Sequence, residues 1–214
     1  MKNIDLFIFD LDGTLIDSTQ DIANAVNYTL DYLGEPQLSQ SIIQKNVGDG
    51  VLHLLKRCLI ENHQDRVEEA VTTFRRRYGE HLLDHTTLYP GVKKVLGHFK
   101  TKKKTILTNK PERYIQPILN GLGIQHQIDY AIGGDGKTVP KPAAEPVREI
   151  LQRFGIEKGR AVMVGDSDVD VETGKLGNLL TCAFTGGYRP RSELEEARPD
   201  FMIDKIEELK DLFC

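Results

Sequence analysis

The sequence has few cysteines and no apolar run long enough to cross a bilayer. Among its 214 residues are three cysteines, Cys58, Cys182 and Cys214, whose spacing matches neither a metal site nor a redox pair. A sparse, odd set of cysteines is typical of a reducing compartment. Aspartates interrupt the apolar N-terminal run, so we expect no signal peptide, and no segment approaches the ~20 apolar residues of a transmembrane helix. We therefore expect a cytoplasmic protein without a membrane partner.

An excess of positive charge is also absent. The chain has 28 lysines and arginines against 32 aspartates and glutamates, which gives a formal net charge of −4. Because nucleic-acid binders rely on basic residues that neutralise phosphates, we expect no nucleic-acid partner. The basic run at residues 100–104 precedes an apolar segment, and we interpret it as a solvent-exposed loop.

Short apolar segments alternate with amphipathic ones over much of the chain. The pattern predicts strands at residues 6–9, 105–107, 130–132, 161–164, 180–184 and 201–203, and a closing helix at 205–213. Strands that alternate with helices form a parallel sheet covered on both faces. The predicted fold class is therefore α/β, with a doubly wound, Rossmann-like parallel sheet.

The segment between the first two predicted strands has a different pattern. From residue 18 to about residue 87 it has helical periodicity and no convincing strand, and Ser18 is the predicted N-cap of its first helix. Pro90 and Gly91 are strong helix breakers at its end. We predict a catalytic core of residues 1–14 and 90–214, and an all-helical cap of residues 15–89 inserted after the first strand.

A pair of aspartates follows the first predicted strand. Asp10 and Asp12 are separated by one residue, and Gly13 and Thr14 come next. In an extended chain, residues i and i+2 point to the same side, so both carboxylates can face one ligand. Two carboxylates this close repel each other unless a cation lies between them, and Mg²⁺, which prefers oxygen ligands, suits such a pair. Thr14 would hydrogen-bond to Asp12 or cap the turn.

Other polar residues also follow predicted strands. Thr108 and Asn109 come after the second strand, and Asp166 comes after the fourth, with Asp170 four residues later. Lys141 lies in a loop that leads into a helix. Because ligands in open α/β sheets bind at the carboxyl ends of strands, we expect these side chains to lie near the aspartate pair.

The segment at residues 10–15, Asp-Leu-Asp-Gly-Thr-Leu, resembles the first motif of the haloacid dehalogenase superfamily of phosphotransferases. The later motifs follow in order, and over essentially the whole chain the sequence is most similar to the phosphoglycolate phosphatase branch. The resemblance implies that Asp10 is the nucleophile and forms an aspartyl-phosphate. Asp12 is then the general acid and base. The implied Mg²⁺ ligands are Asp10, Asp12 through its backbone carbonyl, and Asp166.

The same resemblance implies that the remaining polar residues contact or support the phosphoryl group. Thr108 supplies a hydroxyl, Asn109 an amide and Lys141 a fixed positive charge, all of which stabilise developing negative charge. Asp170 would hold a metal-bound water or orient Lys141. It would share a helical face with Asp166 if a helix begins there.

The expected substrate is 2-phosphoglycolate or a similarly small anionic phosphate monoester. The core motifs bind only the phosphoryl group, so discrimination would come from the cap, where Gly48, Asp49 and Gly50 open a predicted helix. This segment is either a simple interhelical turn or a close backbone approach whose free N–H groups suit a small carboxylate. Asp49 would repel an anion unless it points away or unless Lys56 or Arg57 offsets its charge.

Other functions are compatible with these motifs. An inorganic pyrophosphatase, a sugar-phosphate phosphatase and a phosphomutase of the same superfamily share them. A hydrolytic dehalogenase needs no second aspartate, so Asp12 counts against it. A receiver-like phospho-acceptor domain, which is not an enzyme, has similar residues, but the helical segment would then be unexplained. We expect a monomer or a weak homodimer.

Overall fold

The structure is a computed structural model that describes residues 1–59, 65–135 and 139–214. The strands in this part of the chain are β1 (Leu6–Phe9), β2 (Ile16–Asp17), β3 (Thr87–Leu88), β4 (Lys103–Leu107), β5 (Tyr130–Ile132), β6 (Ala161–Gly165), β7 (Leu180–Phe184) and β8 (Phe201–Ile203). Six of them form one parallel sheet in the order β5-β4-β1-β6-β7-β8. The α/β prediction is therefore confirmed.

The described residues also form helices, some of which flank this sheet. They are α1 (Thr19–Tyr32), α2 (Gln40–Lys45), α3 (Val51–Cys58), α4 (Val67–Glu80), α5 (Val92–His98), α6 (Glu112–Gly121), α7 (Glu145–Phe154), α8 (Asp168–Gly177), α9 (Arg191–Ala197) and α10 (Leu209–Leu212). The predicted closing helix is a 3₁₀ turn, Ile206–Glu208, followed by α10. In the described residues, every helix is too short or too polar to cross a bilayer.

Strand β1 is buried on both faces, as its unbroken apolar run predicts. Phe7 and Phe9 pack into a large cluster on one face of the sheet, and Leu6 and Ile8 pack on the other. Successive side chains of a strand point to opposite faces, so both faces must be covered by other elements. Residues of α7 cover the second face, where Val147 packs in the same cluster as Ile8.

The order of the strands reverses at β1. From β1 the chain builds outward through β4 and β5 on one side and through β6, β7 and β8 on the other. The carboxyl end of such a central strand opens into a crevice between the two halves, where ligands of this fold class bind. Asp10 is the first residue after β1.

A helical insert, which we define as α1–α4, lies between β2 and β3. These two strands pair antiparallel, with Ile16 opposite Leu88, and the sequence pattern did not predict them because two residues cannot show alternation. The buried carboxylate of Asp21 accepts hydrogen bonds from the backbone N–H groups of His85 and Thr86. The two ends of the insert are thereby tied together at one place.

The helical insert shares its apolar core with the sheet. Val26, Leu30 and Phe74 of the insert belong to the same buried cluster as Phe7 and Phe9 of β1. Apolar contact of this kind, rather than the short ribbon alone, holds the insert against the sheet.

Candidate active site

Asp10 is buried at the carboxyl end of β1, with 8% of its surface exposed. Burial raises the pKa of its carboxyl group to about 6, because the repulsion of Asp170 and Asp12 adds to desolvation while the charge of Lys141 opposes it. The Lys141 ammonium nitrogen forms an ion pair with Asp10 Oδ1 at 2.9 Å. Among the described residues, Lys141 is the cation that contacts this buried oxygen.

Lys141 lies between Asp10 and Asp170. Its Nζ is 2.5 Å from Asp170 Oδ1, and both side chains are almost fully buried. Burial lowers the pKa of Lys141, but the two neighbouring carboxylates outweigh it and the net shift is upward. Ser167 donates to the other oxygen of Asp170 from its backbone and from its hydroxyl, which fixes that carboxylate.

Asp166 and Asp170 meet in a way that the sequence did not predict. Helix α8 begins at Asp168 with Ser167 as its N-cap, so Asp166 precedes the helix and the two residues share no helical face. Asp170 instead turns back at the third helical position, where it forms a capping box with Ser167. The sharp turn after β6 brings the two carboxylates together.

The carboxylate oxygens of Asp10, Asp166 and Asp170 lie within 4.8 Å of one another. Burial, together with the charges of Asp10 and Asp170, raises the pKa of Asp166 well above its usual range. Among the described residues, three buried carboxylates face one ammonium group, that of Lys141. A divalent cation with oxygen ligands fits this excess of buried negative charge.

Thr14 forms a hydrogen bond with Asp166. The sequence analysis had suggested Asp12 as its partner. Its hydroxyl donates to Asp166 Oδ1 over 3.0 Å, and the backbone N–H of Tyr188 donates to Oδ2 over 2.7 Å. Gly13 has a φ of +86°, and a Cβ on it would collide with the Asp166 carboxylate. The glycine turn therefore brings both the backbone and Thr14 against Asp166.

Asp12 has a separate set of partners. Lys110 Nζ lies 2.9 Å from its Oδ1 and 3.1 Å from its Oδ2, and the hydroxyl of Ser18 donates to Oδ1. Ser18 precedes α1 as predicted, but its hydroxyl bonds to Asp12 and does not cap the helix. The Asp12 side chain thus lies outside the cluster of three carboxylates.

Lys110, Tyr78 and Tyr188 are site residues that the sequence interpretation missed. Burial lowers the pKa of Lys110, but Asp12 and Tyr78 raise it by more, so the net shift is upward. Lys110 donates to the Tyr78 hydroxyl over 2.6 Å, and the Tyr188 hydroxyl accepts from the backbone N–H of Ser18. The sequence signal that could have identified Lys110 was its position directly after Thr108 and Asn109.

Asn109 has no amide hydrogen left for a phosphoryl oxygen in this structure. Its Nδ2 donates to the carbonyl oxygens of Gly48 and Lys141, each at 3.0 Å, and its Oδ1 accepts from the backbone N–H of Lys141. The side chain therefore connects the Lys141 loop to the helical insert, which differs from the donor role expected from the sequence. Thr108 lies beside it, and its hydroxyl oxygen accepts from the backbone N–H of Lys110.

A cavity of about 50 Å³ lies between the sheet and the helical insert. Its core wall is formed by Asp10, Asp12, Thr108, Asn109, Lys110, Pro111 and Tyr114. Its insert wall is formed by the side chains of Ile22, Val47, Val51, Leu54, Phe74 and Tyr78, with Gly48 and Gly50. A space of this size holds a few water-sized groups, so a small ligand fits it.

The two glycines of the insert line this cavity, whereas Asp49 does not. Gly48 has a φ of +130° and Gly50 a φ of +88°, which are conformations that favour glycine. Asp49 forms an ion pair with Arg57 at 2.5 Å. This pair offsets the charge of Asp49, as the sequence had suggested for Lys56 or Arg57.

Residues 7–184 match the family model of the haloacid dehalogenase-like hydrolases. The chain belongs to this family. A phosphoglycolate phosphatase of Chromobacterium violaceum is 36% identical to it, over 99% of this chain and 97% of the relative. A phosphoglycolate phosphatase of Aquifex aeolicus is 35% identical, over 95% of this chain and 94% of the relative. The resemblance inferred from the motifs is therefore confirmed.

Solved structures of the family share the whole architecture. A predicted phosphoglycolate phosphatase from Haemophilus somnus superposes with a TM-score of 0.92 at 29% identity, covering 99% of both chains. A haloacid dehalogenase-like family hydrolase from Streptococcus pneumoniae superposes with a TM-score of 0.89 at 27% identity, covering 98% of both. This hydrolase is thus similar to these two structures over nearly all of its length.

Proposed function

We propose that this enzyme is a Mg²⁺-dependent phosphatase that hydrolyses a small phosphate monoester, 2-phosphoglycolate, through an aspartyl-phosphate on Asp10. The observation that carries the proposal is that Asp10 and Asp12 face one small cavity with different partners. Asp10 forms an ion pair with Lys141, whereas Asp12 is oriented by Lys110 and Ser18. The names of the curated relatives support the same substrate.

The proposed reaction has two steps. In the first, a carboxylate oxygen of Asp10 bonds to phosphorus, the bond from phosphorus to the ester oxygen breaks, and Asp12 gives a proton to that oxygen. In the second, water attacks phosphorus, Asp12 takes its proton, and the bond between Asp10 and phosphorus breaks. Lys141 and Thr108 contact the phosphoryl oxygens in both steps.

Asp10 and Asp166, with the backbone carbonyl of Asp12, would hold Mg²⁺. The cation, when bound, offsets the negative charge of the carboxylates and of the phosphoryl group. Asp170 keeps Lys141 in place and is available to a metal-bound water. Gly13 and Thr14 maintain the position of Asp166 by close approach and by a hydrogen bond.

Residues 15–89 act as a cap over the core of residues 1–14 and 90–214. The cap excludes bulk water while the aspartyl-phosphate exists, and Gly48 and Gly50 allow its backbone to approach the substrate. The size of the cavity supports a short substrate. The enzyme acts in the cytoplasm as a monomer or weak homodimer.

The proposal is tested by phosphate release from a panel of substrates, with and without Mg²⁺. The panel contains 2-phosphoglycolate, ethyl phosphate, a sugar phosphate and inorganic pyrophosphate, and Asp10→Asn is the control for contaminating phosphatase. We expect Mg²⁺-dependent turnover with the highest kcat/KM for 2-phosphoglycolate. A much higher kcat/KM for pyrophosphate or the sugar phosphate would refute the choice of 2-phosphoglycolate as substrate. A phosphorylated protein that persists without turnover would refute the assignment as a phosphatase.

A further inference from the structure

Among the described residues, the insert wall of the cavity has one polar side chain. Five of its side chains are aliphatic or phenyl groups, and the sixth is that of Tyr78. An anionic group of the substrate that lies beyond the phosphoryl group would meet only apolar side chains on this wall unless it met Tyr78. Charged groups are rarely buried without a hydrogen-bond partner, because desolvation costs too much.

The hydroxyl of Tyr78 is a free donor. Its oxygen accepts a hydrogen bond from Lys110 at 2.6 Å, and the described residues provide no acceptor for its own hydrogen. Burial raises the pKa of Tyr78 to about 12, so the phenol keeps that hydrogen at neutral pH. Tyr114, the other tyrosine of the cavity, packs edge-on against Tyr78 but donates its hydroxyl to the backbone of Arg75.

Lys110 is the one cationic residue among those that line the cavity in the described chain. Its ammonium group contacts both oxygens of Asp12 and the hydroxyl of Tyr78. In 2-phosphoglycolate a single methylene separates the ester oxygen from the carboxylate. When Asp12 is within hydrogen-bonding distance of the ester oxygen, the carboxylate therefore lies within reach of the group that contacts Asp12.

We propose that Tyr78 and Lys110 form the subsite that binds the carboxylate of the substrate. Tyr78 donates one hydrogen bond from the helical insert, and Lys110 supplies the charge from the core. Because the two residues come from opposite walls, the carboxylate binds best when the insert is closed over the sheet. This inference rests on the proposed function and deepens it, since it identifies how 2-phosphoglycolate is distinguished from a phosphate monoester of equal length that has no carboxylate.

The kinetic test compares 2-phosphoglycolate with ethyl phosphate, in which a methyl group replaces the carboxylate. Tyr78→Phe removes the donor and keeps the ring, so we expect the preference for 2-phosphoglycolate in kcat/KM to fall at least about tenfold, as for a lost hydrogen bond to a charged group. Tyr114→Phe is the matched control, and it should change kcat/KM for both substrates by the same factor. Equal losses on both substrates with Tyr78→Phe would overturn the subsite.

A binding measurement separates this inference from the proposed function. With Mg²⁺ present, calorimetry compares 3-phosphonopropionate, a non-hydrolysable carboxylate analogue, with propylphosphonate, in which a methyl group replaces the carboxylate. We expect wild-type protein to prefer the carboxylate analogue and Tyr78→Phe to lose most of that preference. If wild type hydrolyses 2-phosphoglycolate best but Tyr78→Phe keeps the full preference, the subsite is wrong and the proposed function stands. If wild type prefers another substrate and binds both analogues equally, both are wrong.

Discussion

Lys110 holds the carboxylate of Asp12 by both of its oxygens, at 2.9 and 3.1 Å, although 98 residues separate them in the chain. The hydroxyl of Ser18 contacts the same carboxylate. A general acid and base must be positioned before its proton transfer contributes to the rate. The arrangement suits Asp12 for that role, and keeps its side chain apart from the carboxylates that surround Lys141.

Asp12→Asn removes the proton donor and leaves the nucleophile in place. We expect turnover of 2-phosphoglycolate to fall about 10²–10⁴-fold, the usual contribution of general acid–base catalysis. The loss should be smaller for 4-nitrophenyl phosphate, whose leaving group needs little protonation. Asp168→Asn is a matched control, because Asp168 is exposed at the start of α8. Equal losses on the two substrates would show that Asp12 is not the acid.

The cluster of buried carboxylates predicts a pH-dependent response to Mg²⁺. Burial raises the pKa of Asp10 from 3.8 to about 6. Without a metal, the folded protein therefore binds a proton at Asp10 more tightly than the unfolded chain does. The stability that this group contributes is present at acid pH and is lost as the pH rises through 6. A cation that binds the ionised carboxylates should restore it. The increase in Tm caused by Mg²⁺ should therefore be larger near pH ~7.5 than near pH ~5.

The control for this measurement is Asp166→Asn, which removes one carboxylate from the cluster. Its Tm should respond less to Mg²⁺ than that of wild type at the higher pH. A Tm increase of the same size at both pH values, or in both proteins, would contradict a Mg²⁺ site at these residues.

Arg189 ties the helical insert to the core. Its guanidinium donates to the carbonyl oxygens of Lys45 and Val47, and its side chain is largely buried. Arg189→Met removes both hydrogen bonds, so we expect amide hydrogen exchange around residues 45–50 to accelerate about tenfold. Arg191→Met is the control, because Arg191 is exposed and its ion pairs among the described residues are with the surface acids Glu195 and Asp204. Similar rates of amide hydrogen exchange in the two variants would argue that Arg189 does not hold the insert against the core.

Much of the fold could be predicted because its strands are short, apolar and separated by helices. The six strands of the sheet lie where the apolar runs predict them, because strands that are buried on both faces are mostly apolar. The β2–β3 ribbon could not be predicted, because two residues have no period. The basic run was also misread: Lys104 is buried in β4, where its ammonium group donates to the carbonyl oxygens of Phe99 and Lys102.

Some residues of the candidate site could likewise be predicted from the sequence, and others could not. Asp10, Asp12 and Asp166 follow strands and could be found from their position, whereas their partners depend on contacts across the chain. A lysine after Thr108 and Asn109 looks like any exposed loop residue until Asp12 and Tyr78 are placed beside it. The same holds for Thr14, whose partner Asp166 is 152 residues away.

The central claim is that Asp10 carries the phosphoryl group. It is tested most directly by mixing the enzyme with 2-phosphoglycolate and Mg²⁺, quenching with acid, and reducing with borohydride, which converts an aspartyl-phosphate into homoserine. Peptide mass spectrometry then locates the reduced residue. The account predicts homoserine at position 10 and none in the Asp10→Asn protein. Active enzyme with homoserine at position 12 or 166 and intact Asp10 would contradict it.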